Sequence, residues 1–350
     1  MTQSTTQGRP AAPDGAPPRH ARRAVALLGT VVAVLAGLLL VPPAIGALSG
    51  GGDGTQLRGL RMLVPNAPGG GYDVTARSAA KAMEDAGISG SVEVFNLPGA
   101  GGTVGLGRTV NEAGNDRLTM SMGLGVVGSV YSNESPSTLA DTTPIARLTE
   151  ETEIVVVPAD SPFRDVRQLL AAWKADPGGT PVGGGSSPGG PDHLAPMLMA
   201  EGAGLDPKRV NYVSYDGGGE LLASVLGGKV AFGVSGLGEF ADQIESGDLR
   251  VLAVTAGKRV PGVEAPTLRE AGIDVEFTNW RGVVAPPGLT PEARAELERA
   301  YAEMRTTPEW QEVLRLNGWE DAYLPGAEFG RFLTAENGRV ERVLRGLGLA

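Results

Sequence analysis

The stretch Val64-Pro65-Asn66-Ala67-Pro68-Gly69-Gly70-Gly71-Tyr72-Asp73 joins a short apolar run, residues 60–64, to a segment with helical periodicity, residues 74–86. Its three consecutive glycines carry no Cβ atom, so the backbone N–H groups around them are unobstructed. The N–H groups in the first turn of a helix have no intrahelical partners, and that end of the helix carries a partial positive charge. The stretch therefore predicts either an anion-binding site or a tight strand-to-helix turn without a ligand.

The same kind of junction recurs along the chain. A strand-like run, a glycine-rich loop and a helical segment follow one another around residues 68–73, 98–103, 184–193 and 215–219. Such alternation is typical of α/β proteins, and we expect parallel sheets that are covered on both faces. Ligands of these sheets bind at the carboxyl ends of the strands, where the glycine loops lie. Four such loops around one cleft would form a carboxylate site from backbone amides, without an arginine.

Composition narrows the possible functions. The chain has 350 residues, enough for two domains, and 41% of them are hydrophobic. Its net charge is −10, and residues 48–350 alone hold 26 basic and 39 acidic residues. A surface this acidic is a poor partner for nucleic acid. The absence of cysteine and the presence of only two histidines, His20 and His193, exclude thiolate and multi-histidine metal sites. We expect no cofactor, and little is left for catalysis.

Residues 1–50 form a region of their own. Residues 1–18 are rich in Thr, Gln, Pro and Ala and are predicted to be disordered. The basic residues 19–23 precede an uncharged apolar run, residues 24–41, which is typical of an export signal. The run is suited either to a signal that is cleaved near the small residues 44–47 or to an uncleaved membrane anchor. We therefore expect the rest of the chain to be extracytoplasmic, in the periplasm or on the outer face of the cell membrane.

Several polar residues near the loops have two interpretations each. His193 either packs at the start of a helix or gives a ligand one hydrogen bond. Asp73 either caps free N–H groups or orients a water molecule in the cleft. Ser186 and Ser187 are either loop residues or hydroxyl donors to a carboxylate. Tyr72 is either a packing residue or part of the cleft wall.

Two enzyme classes find no support in these motifs. The glycine loops match neither the GxGxxG order of dinucleotide-binding proteins nor a P-loop, because no Gly-Lys-Ser/Thr follows them. A Gly-x-Ser-x-Gly elbow is also absent, and Ser235 would have only His193 as its base. The site is therefore better suited to holding a ligand than to transforming it.

In these loops the sequence resembles the substrate-binding receptors of tripartite tricarboxylate transporters, also called the Bug family. The matching segments keep their order and spacing over nearly the full exported length. They are 68–73 (PGGGYD) with Ala76-Arg77, 96–102 (NLPGAGG), 184–187 (GGSS) with His193-Leu194, 213–219 (VSYDGGG), 226–230 (LGGKV), 252–255 (LAVT), 265–272 (APTLREAG), 280–282 (WRG) and 285–288 (APPG).

The resemblance implies an α/β, two-lobed Venus-flytrap fold of the type II periplasmic-binding-protein kind. Lobe 1 would comprise residues 55–153 and 282–350, and lobe 2 residues 154–281. A small di- or tricarboxylate, such as citrate, would be held between the lobes by backbone amides and ordered waters. The partners implied are a large and a small integral membrane subunit. The ligand-binding residues implied are Pro68, Gly69, Gly70, Gly71, Tyr72, Asp73, Gly99, Ala100, Gly101, Gly102, Ser186, Ser187, His193, Tyr215, Gly217, Gly218 and Ser235.

The sequence also departs from the family pattern at three places. Leu97 stands where an arginine is usual, Ser235 stands where an acid is frequent, and residues 123–128 lack the usual hydroxyl side chains. Two alternatives remain beside a transport receptor. One is a receptor that presents its ligand to a membrane sensor kinase, which neighbouring genes would distinguish. The other is an enzyme, which the sparse inventory of catalytic side chains disfavours.

Overall fold

Strands and helices alternate through most of the chain, and the computed structural model describes residues 56–215 and 217–350. The strands are β1 Arg61–Val64, β2 Glu93–Asn96, β3 Leu118–Gly123, β4 Thr143–Pro158, β5 Val182–Gly184, β6 Tyr212–Ser214, β7 Phe232–Gly236, β8 Leu249–Val254, β9 Thr278–Ala285 and β10 Glu320–Pro325. The helices are α1 Gly71–Asp85, α2 Thr103–Asn111, α3 Leu124–Ser132, α4 Val166–Ala175, α5 Pro191–Gly202, α6 Gly218–Leu226, α7 Ala241–Glu245, α8 Pro291–Arg305, α9 Pro308–Asn317 and α10 Gly326–Leu347.

The long strand β4 connects two half-sheets. Its residues 143–152 pair with β9, and β9 continues through β3 and β1 to β2. Its residues 153–156 pair with β7, which continues through β5 to β6. Strand β10 pairs with the first part of β4, and β8 pairs with the last part. We refer below to the first half-sheet (β1, β2, β3, β9, β10) and the second half-sheet (β5, β6, β7, β8), which share β4.

The sheet is mixed, so the expectation of purely parallel sheets was wrong. Strands β1, β2 and β3 are parallel to one another, as are β5, β6 and β7. These are the strands that the glycine loops follow. Strands β4 and β9, in contrast, are antiparallel to their neighbours.

The C-terminal helix α10 also packs against elements of both halves. It contacts β4, α3 after the first half-sheet, and α5 after the second. Trp280, which is buried under this helix, packs edge-on against Phe329 and Phe332 and donates a hydrogen bond from Nε1 to Glu336 at 3.0 Å. Strand β4 and helix α10 therefore both connect the halves that carry the glycine loops.

The predicted export signal or anchor, residues 24–41, lies outside the described residues. Within residues 56–215 and 217–350, none of the helices is sufficiently long and apolar to cross a membrane.

Candidate functional site

The first loop connects β1 to α1 and is held by Asp73, which lies in the first turn of that helix. Asp73 is 4% exposed, and its Oδ2 accepts a hydrogen bond from the Gly69 N–H at 2.9 Å. Its Oδ1 accepts one from Asn96 Nδ2 at 2.9 Å, and Arg77 Nε lies 3.0 Å from both oxygens. Burial by itself raises the pKa of Asp73, but the hydrogen bonds, that from Arg77 first, outweigh it and hold the pKa below its ordinary value. The ionised carboxylate therefore fixes the glycine turn.

Tyr72, the next residue toward the cleft, packs between this loop and the start of α3. Gly123 and Gly125 leave room for it, because a Cβ atom at either position would lie 2.9 Å from the Tyr72 side chain. Burial raises the pKa of the Tyr72 phenol, while Arg281 and the backbone amides of Val126 and Gly125 act in the opposite direction. The aromatic ring thus closes one end of the cleft.

The second loop follows β2 and has an unusual backbone. Gly99, Ala100, Gly101 and Gly102 have φ values of 151°, 45°, 61° and 100°. A left-handed conformation at a residue such as Ala100 costs on the order of 1–3 kcal/mol, and such strain is concentrated at functional sites. Gly101 packs tightly on α3, because a Cβ atom there would come within 2.0 Å of Ser129 Oγ. The loop therefore lies with its main chain, rather than its side chains, along the cleft.

The loop after β5 faces the first two loops from the second half-sheet. Asp192, in the first turn of α5, accepts a hydrogen bond from the Gly185 N–H at 2.8 Å, and its own N–H donates to Ser186 Oγ at 3.0 Å. The Ser186 carbonyl accepts one from the Tyr212 hydroxyl at 2.6 Å. At its far end this loop touches α3, since a Cβ atom on Gly128 would lie 1.9 Å from the carbonyl oxygen of Gly189. The two halves therefore meet main chain to main chain.

These three loops enclose a cavity of about 400 Å³, which we call the cleft. Its volume lies in the range of small-molecule sites, about 300–1,000 Å³. None of the described residues that line it has a charged side chain. The lining residues are Pro65, Asn66, Ala67, Tyr72, Pro98, Gly99, Gly101, Gly102, Gly125, Ser129, Gly185, Ser186, Ser187, Gly190 and Pro191.

A larger cavity, of about 730 Å³, lies on the other side of the first loop. Its wall includes two arginines, Arg281 and Arg315, and three acids, Glu151, Glu239 and Glu245, beside Gly69 and Gly71 of the first loop. Arg281 is 6% exposed and already pairs with Glu151, at 3.3 Å from Nη2 to Oε2. Acidic side chains in the wall oppose the entry of a carboxylate. The wall of the smaller cleft, in contrast, contains no acidic side chain among the described residues.

Behind the cleft lies a group of carboxyl side chains, Glu151, Glu153, Asp192 and Glu239, which we call the carboxyl cluster. Glu153 is fully buried, and neither of its oxygens has a hydrogen-bond partner among the described residues. Burial, together with the nearby carboxylates, raises the pKa of Glu153 well above its ordinary value. Burial, and next the charge of Asp192, raises the pKa of Glu239 to about 7. Burial also raises the pKa of Asp192.

The structure brings part of the predicted site together. Six of the predicted residues line the cleft: Tyr72, Gly99, Gly101, Gly102, Ser186 and Ser187. Gly69 and Gly71 line the larger cavity. The remaining predicted residues do not line the cleft: Pro68, Gly70, Asp73, Ala100 and His193 lie in the three loops or at the helix starts after them, Tyr215, Gly217 and Gly218 lie at the fourth junction, after β6, and Ser235 lies in β7. Direct ligand contact stays a prediction for all of these residues.

His193 and Ser235 are placed behind the loops. His193 is 4% exposed, its Nδ1 accepts a hydrogen bond from the Gly189 N–H at 3.1 Å, and burial lowers its pKa to about 4. Ser235 is fully buried, and its Oγ lies 3.0 Å from Asp192 Oδ2 and 3.0 Å from Glu239 Oε2. Both side chains therefore support the loop after β5.

The sequence reasoning missed Ser129 and the carboxyl cluster. Ser129 supplies the α3 hydroxyl at the cleft wall, just beyond residues 123–128, where a hydroxyl was judged to be lacking. Its signal was a single serine near the end of an otherwise apolar segment. The residues of the carboxyl cluster come from three distant parts of the chain, so no local spacing in the sequence predicts it.

Comparisons with known proteins identify a family for the chain. A profile described as "Tripartite tricarboxylate transporter family receptor" (TctC) matches residues 75–349. The chain is 32% identical to a UPF0065 protein from the tcbD-tcbE intergenic region of Pseudomonas sp. (strain P51), over 83% of this chain and 86% of that protein. It is 30% identical to the protein BugT of Bordetella pertussis, over 71% of this chain and 76% of BugT.

Solved structures give the same answer for the fold. The chain is similar to a TctC solute-binding protein from Polaromonas, solved without a ligand, with 28% identity, a TM-score of 0.70 and coverage of 82% of this chain and 98% of that one. MatC of Rhodopseudomonas palustris, solved with bound malate, is 22% identical with a TM-score of 0.69, over 82% of this chain and 99% of MatC. The likeness to MatC shows a shared fold.

These findings confirm the predicted two-lobed periplasmic-binding-protein fold. They also confirm the expectation that the protein is not an enzyme, because the family and the similar structures are solute-binding proteins. Family membership further implies an extracytoplasmic location. The chain belongs to the receptor family of tripartite tricarboxylate transporters, which are solute-binding proteins of the TctC and Bug type.

Proposed function

We propose that this receptor binds a small di- or tricarboxylate, such as citrate, in the cleft, and that backbone amides hold the carboxyl groups. The observation that carries the proposal is that glycine loops from both halves face one cavity whose lining side chains are all uncharged. Backbone N–H groups at helix N-termini bind anions without a cationic side chain. The malate bound by MatC, a protein of the same fold, supports a ligand of this class.

The bound ligand would bridge the halves. The loops after β1 and β2 lie on one side of the cleft and the loop after β5 on the other. A ligand that contacts both sides stabilises the closed arrangement over any open one. We propose lobe 1 as residues 55–153 and 282–350, and lobe 2 as residues 154–281.

We also propose how the receptor is placed and what it serves. Residues 24–41 would direct export, either as a cleaved signal or as a tether to the outer face of the membrane. The loaded receptor would deliver its ligand to a large and a small integral membrane subunit, as membership of the family implies.

A thermal-shift screen with calorimetry tests the ligand class. Residues 56–350 would be mixed with citrate, malate, adipate and, as a monocarboxylate, acetate. We expect at least one of the multivalent carboxylates to raise the melting temperature, because a ligand that binds only the folded state stabilises it by mass action. Acetate should have little effect, since it cannot bridge both sides of the cleft.

Two variants with the same change locate the binding site. Ser187→Glu introduces a negative charge at the cleft and should abolish the shift through repulsion of the ligand carboxylates. Ser132→Glu introduces the same charge at an exposed position outside the cleft and should preserve the shift. An absence of binding by every multivalent carboxylate to the unaltered protein would contradict the proposal.

A further inference from the structure

The hydroxyl of Ser235 lies between two carboxyl groups of the carboxyl cluster. Its Oγ is 3.0 Å from Asp192 Oδ2 and 3.0 Å from Glu239 Oε2, and Ser235 itself is fully buried. A serine hydroxyl has one hydrogen, and an ionised carboxylate can only accept hydrogen bonds. Both contacts are therefore hydrogen bonds only if one of the two carboxyl groups carries a proton.

The surroundings indicate which of the two carries it. Asp192 Oδ2 also accepts a hydrogen bond from the Gly185 N–H at 2.8 Å, so donors stabilise Asp192 as the anion. Among the described residues, no backbone N–H donates a hydrogen bond to Glu239. The chain of donors thus runs from the Glu239 carboxyl to Ser235 Oγ, and from the Ser235 hydroxyl to Asp192.

The charges around Glu239 favour this arrangement. Burial is the first cause that raises the pKa of Glu239, and the negative charges of Asp192 in α5 and Glu151 in β4 raise it further, while Arg281 of β9 acts in the opposite direction. The neighbouring helices add acids at Glu220 in α6 and Asp242 in α7. The positive charge of Arg281 is engaged by Glu151, at 3.3 Å. A proton on Glu239 therefore relieves repulsion between neighbouring carboxylates.

The shared proton connects two loops of the second half. Asp192 holds the Gly185 N–H and places its own N–H on Ser186, and both Gly185 and Ser186 line the cleft. Glu239 lies under the start of α6, because a Cβ atom on Gly218 would come within 2.1 Å of Glu239 Oε2. A change in the position of the Glu239 carboxyl group would therefore affect the loop at Gly185, through Ser235 and Asp192, and the loop at Gly218 directly.

We propose that Asp192, Ser235 and Glu239 share one proton, and that this proton positions the loops at Gly185 and Gly218 for ligand capture. The ligand-binding part of this inference rests on the function proposed above. When Glu239 loses its proton, two anions face the same hydroxyl, the Glu239 side chain moves away, and both loops lose their support. All three are positioning residues, because none of them lines the cleft.

The midpoint of this change falls near neutral pH, where the pKa of Glu239 lies, at about 7. If only the protonated form holds the loops in place, the binding-competent fraction falls about tenfold for each pH unit above the midpoint. The apparent dissociation constant for citrate should rise by the same factor.

Nuclear magnetic resonance tests the proton without any ligand. The backbone amides of Gly185 and Gly218 would be followed through neutral pH in the unaltered protein, in Glu239→Gln and in Glu245→Gln. We expect both amides to shift with one common midpoint near 7 in the unaltered protein and in Glu245→Gln, an exposed glutamate on α7 outside the carboxyl cluster. Glu239→Gln should show no such transition, because an amide donates to Ser235 at every pH.

Citrate calorimetry on both sides of pH 7 completes the test. Affinity should fall with rising pH in the unaltered protein and in Glu245→Gln, and stay constant in Glu239→Gln. Ser235→Ala removes the hydroxyl that links Glu239 to Asp192. In this variant the Gly218 amide should still shift with pH, whereas the Gly185 amide should not. Amides that do not titrate, or that titrate unchanged in Glu239→Gln, would overturn the inference. Titration of the amides without any citrate binding would uphold the shared proton and count against citrate as the ligand.

Discussion

The carboxylate of Asp73 determines the shape of the first glycine loop. Four hydrogen bonds converge on its two oxygens, from the Gly69 N–H, Asn96 Nδ2 and Arg77 Nε, the last shared between both oxygens. The sequence predicted an acid at this point that either caps the helix or orients a cleft water. Its contact with Gly69 shows that it organises the turn, and this role follows from the identity of the residue and its distance from the glycines.

Replacement of Asp73 by Ala should therefore destabilise the fold. The Gly69 N–H and Asn96 would lose a charged partner, and we expect the free energy of unfolding to fall by about 2–3 kcal/mol, the usual cost of such a loss. Urea denaturation measures it. Asp85→Ala, at the exposed end of the same helix, is the matched control and should change stability by less than about 0.5 kcal/mol.

The destabilisation by Asp73→Ala should depend on pH. The pKa of Asp73 is lowered in the folded protein, so its contribution is complete above the ordinary value of 3.8 and is lost as pH falls through the lower folded-state value. Urea denaturation of the unaltered protein and of Asp73→Ala in acid measures whether the difference in stability between them shrinks as pH falls. An equal difference between the two proteins at neutral pH and below the folded-state pKa would show that the carboxylate does not act through its charge.

At the scale of elements, the length of strand β4 could not be predicted from the local sequence pattern. The β-branched run 154–157 predicted a short strand, but β4 extends over Thr143–Pro158. In residues 143–153, apolar and polar side chains alternate poorly, so the sequence does not show a strand there. Two of the acids in this segment, Glu151 and Glu153, are buried against neighbouring strands instead of facing solvent. Such burial depends on partners more than 80 residues away in sequence, such as Ser235 and Arg281, which no local window contains. The glycine junctions, in contrast, are local and were predicted at the correct residues.

Helix α10 offers an element-scale prediction at Gly338. A Cβ atom there meets nothing within 4 Å, and the residue is exposed within the helix Gly326–Leu347. Gly338→Ala should therefore raise the free energy of unfolding by about 0.8–1 kcal/mol, since alanine favours the helix over glycine. Thermal unfolding measures the gain. Gly101→Ala should instead lower the free energy of unfolding, because the φ of 61° at this position and the nearby Ser129 leave no room for the new methyl group. A loss of stability in Gly338→Ala would argue against an uninterrupted α10.

At the scale of the whole molecule, one pair of glycines brings the main chains of the two halves into direct contact. A Cβ atom on Gly128 would lie 1.9 Å from the Gly189 carbonyl oxygen, a distance that no packing adjustment of side chains can relieve. We expect Gly128→Ala to keep the halves apart, so that the radius of gyration in X-ray scattering increases and the carboxylate-induced melting shift disappears. Gly107→Ala, whose Cβ meets only Ser137 Oγ at 3.9 Å, should behave like the unaltered protein. A Gly128→Ala protein that still shows the full ligand-induced shift would contradict this role for the contact.

The overall architecture could be predicted only in part from physical reasoning. Alternating strands and helices established the α/β class, and the family resemblance supplied the two-lobed arrangement, which the solved structures confirm. The carboxyl cluster could not be foreseen, because residues 151, 153, 192 and 239 come together only when β4 passes between the half-sheets. Periodicity describes faces of single elements, and this cluster has members on several elements.

The uncharged lining of the cleft has a practical consequence for protein engineering. Under the proposed binding by backbone amides, ligand preference lies in main-chain geometry and offers few side chains to a mutagenesis library, so point substitutions would mostly damage the scaffold. A biosensor for a different acid would instead require exchange of whole loops, with their lengths and glycine positions, between relatives.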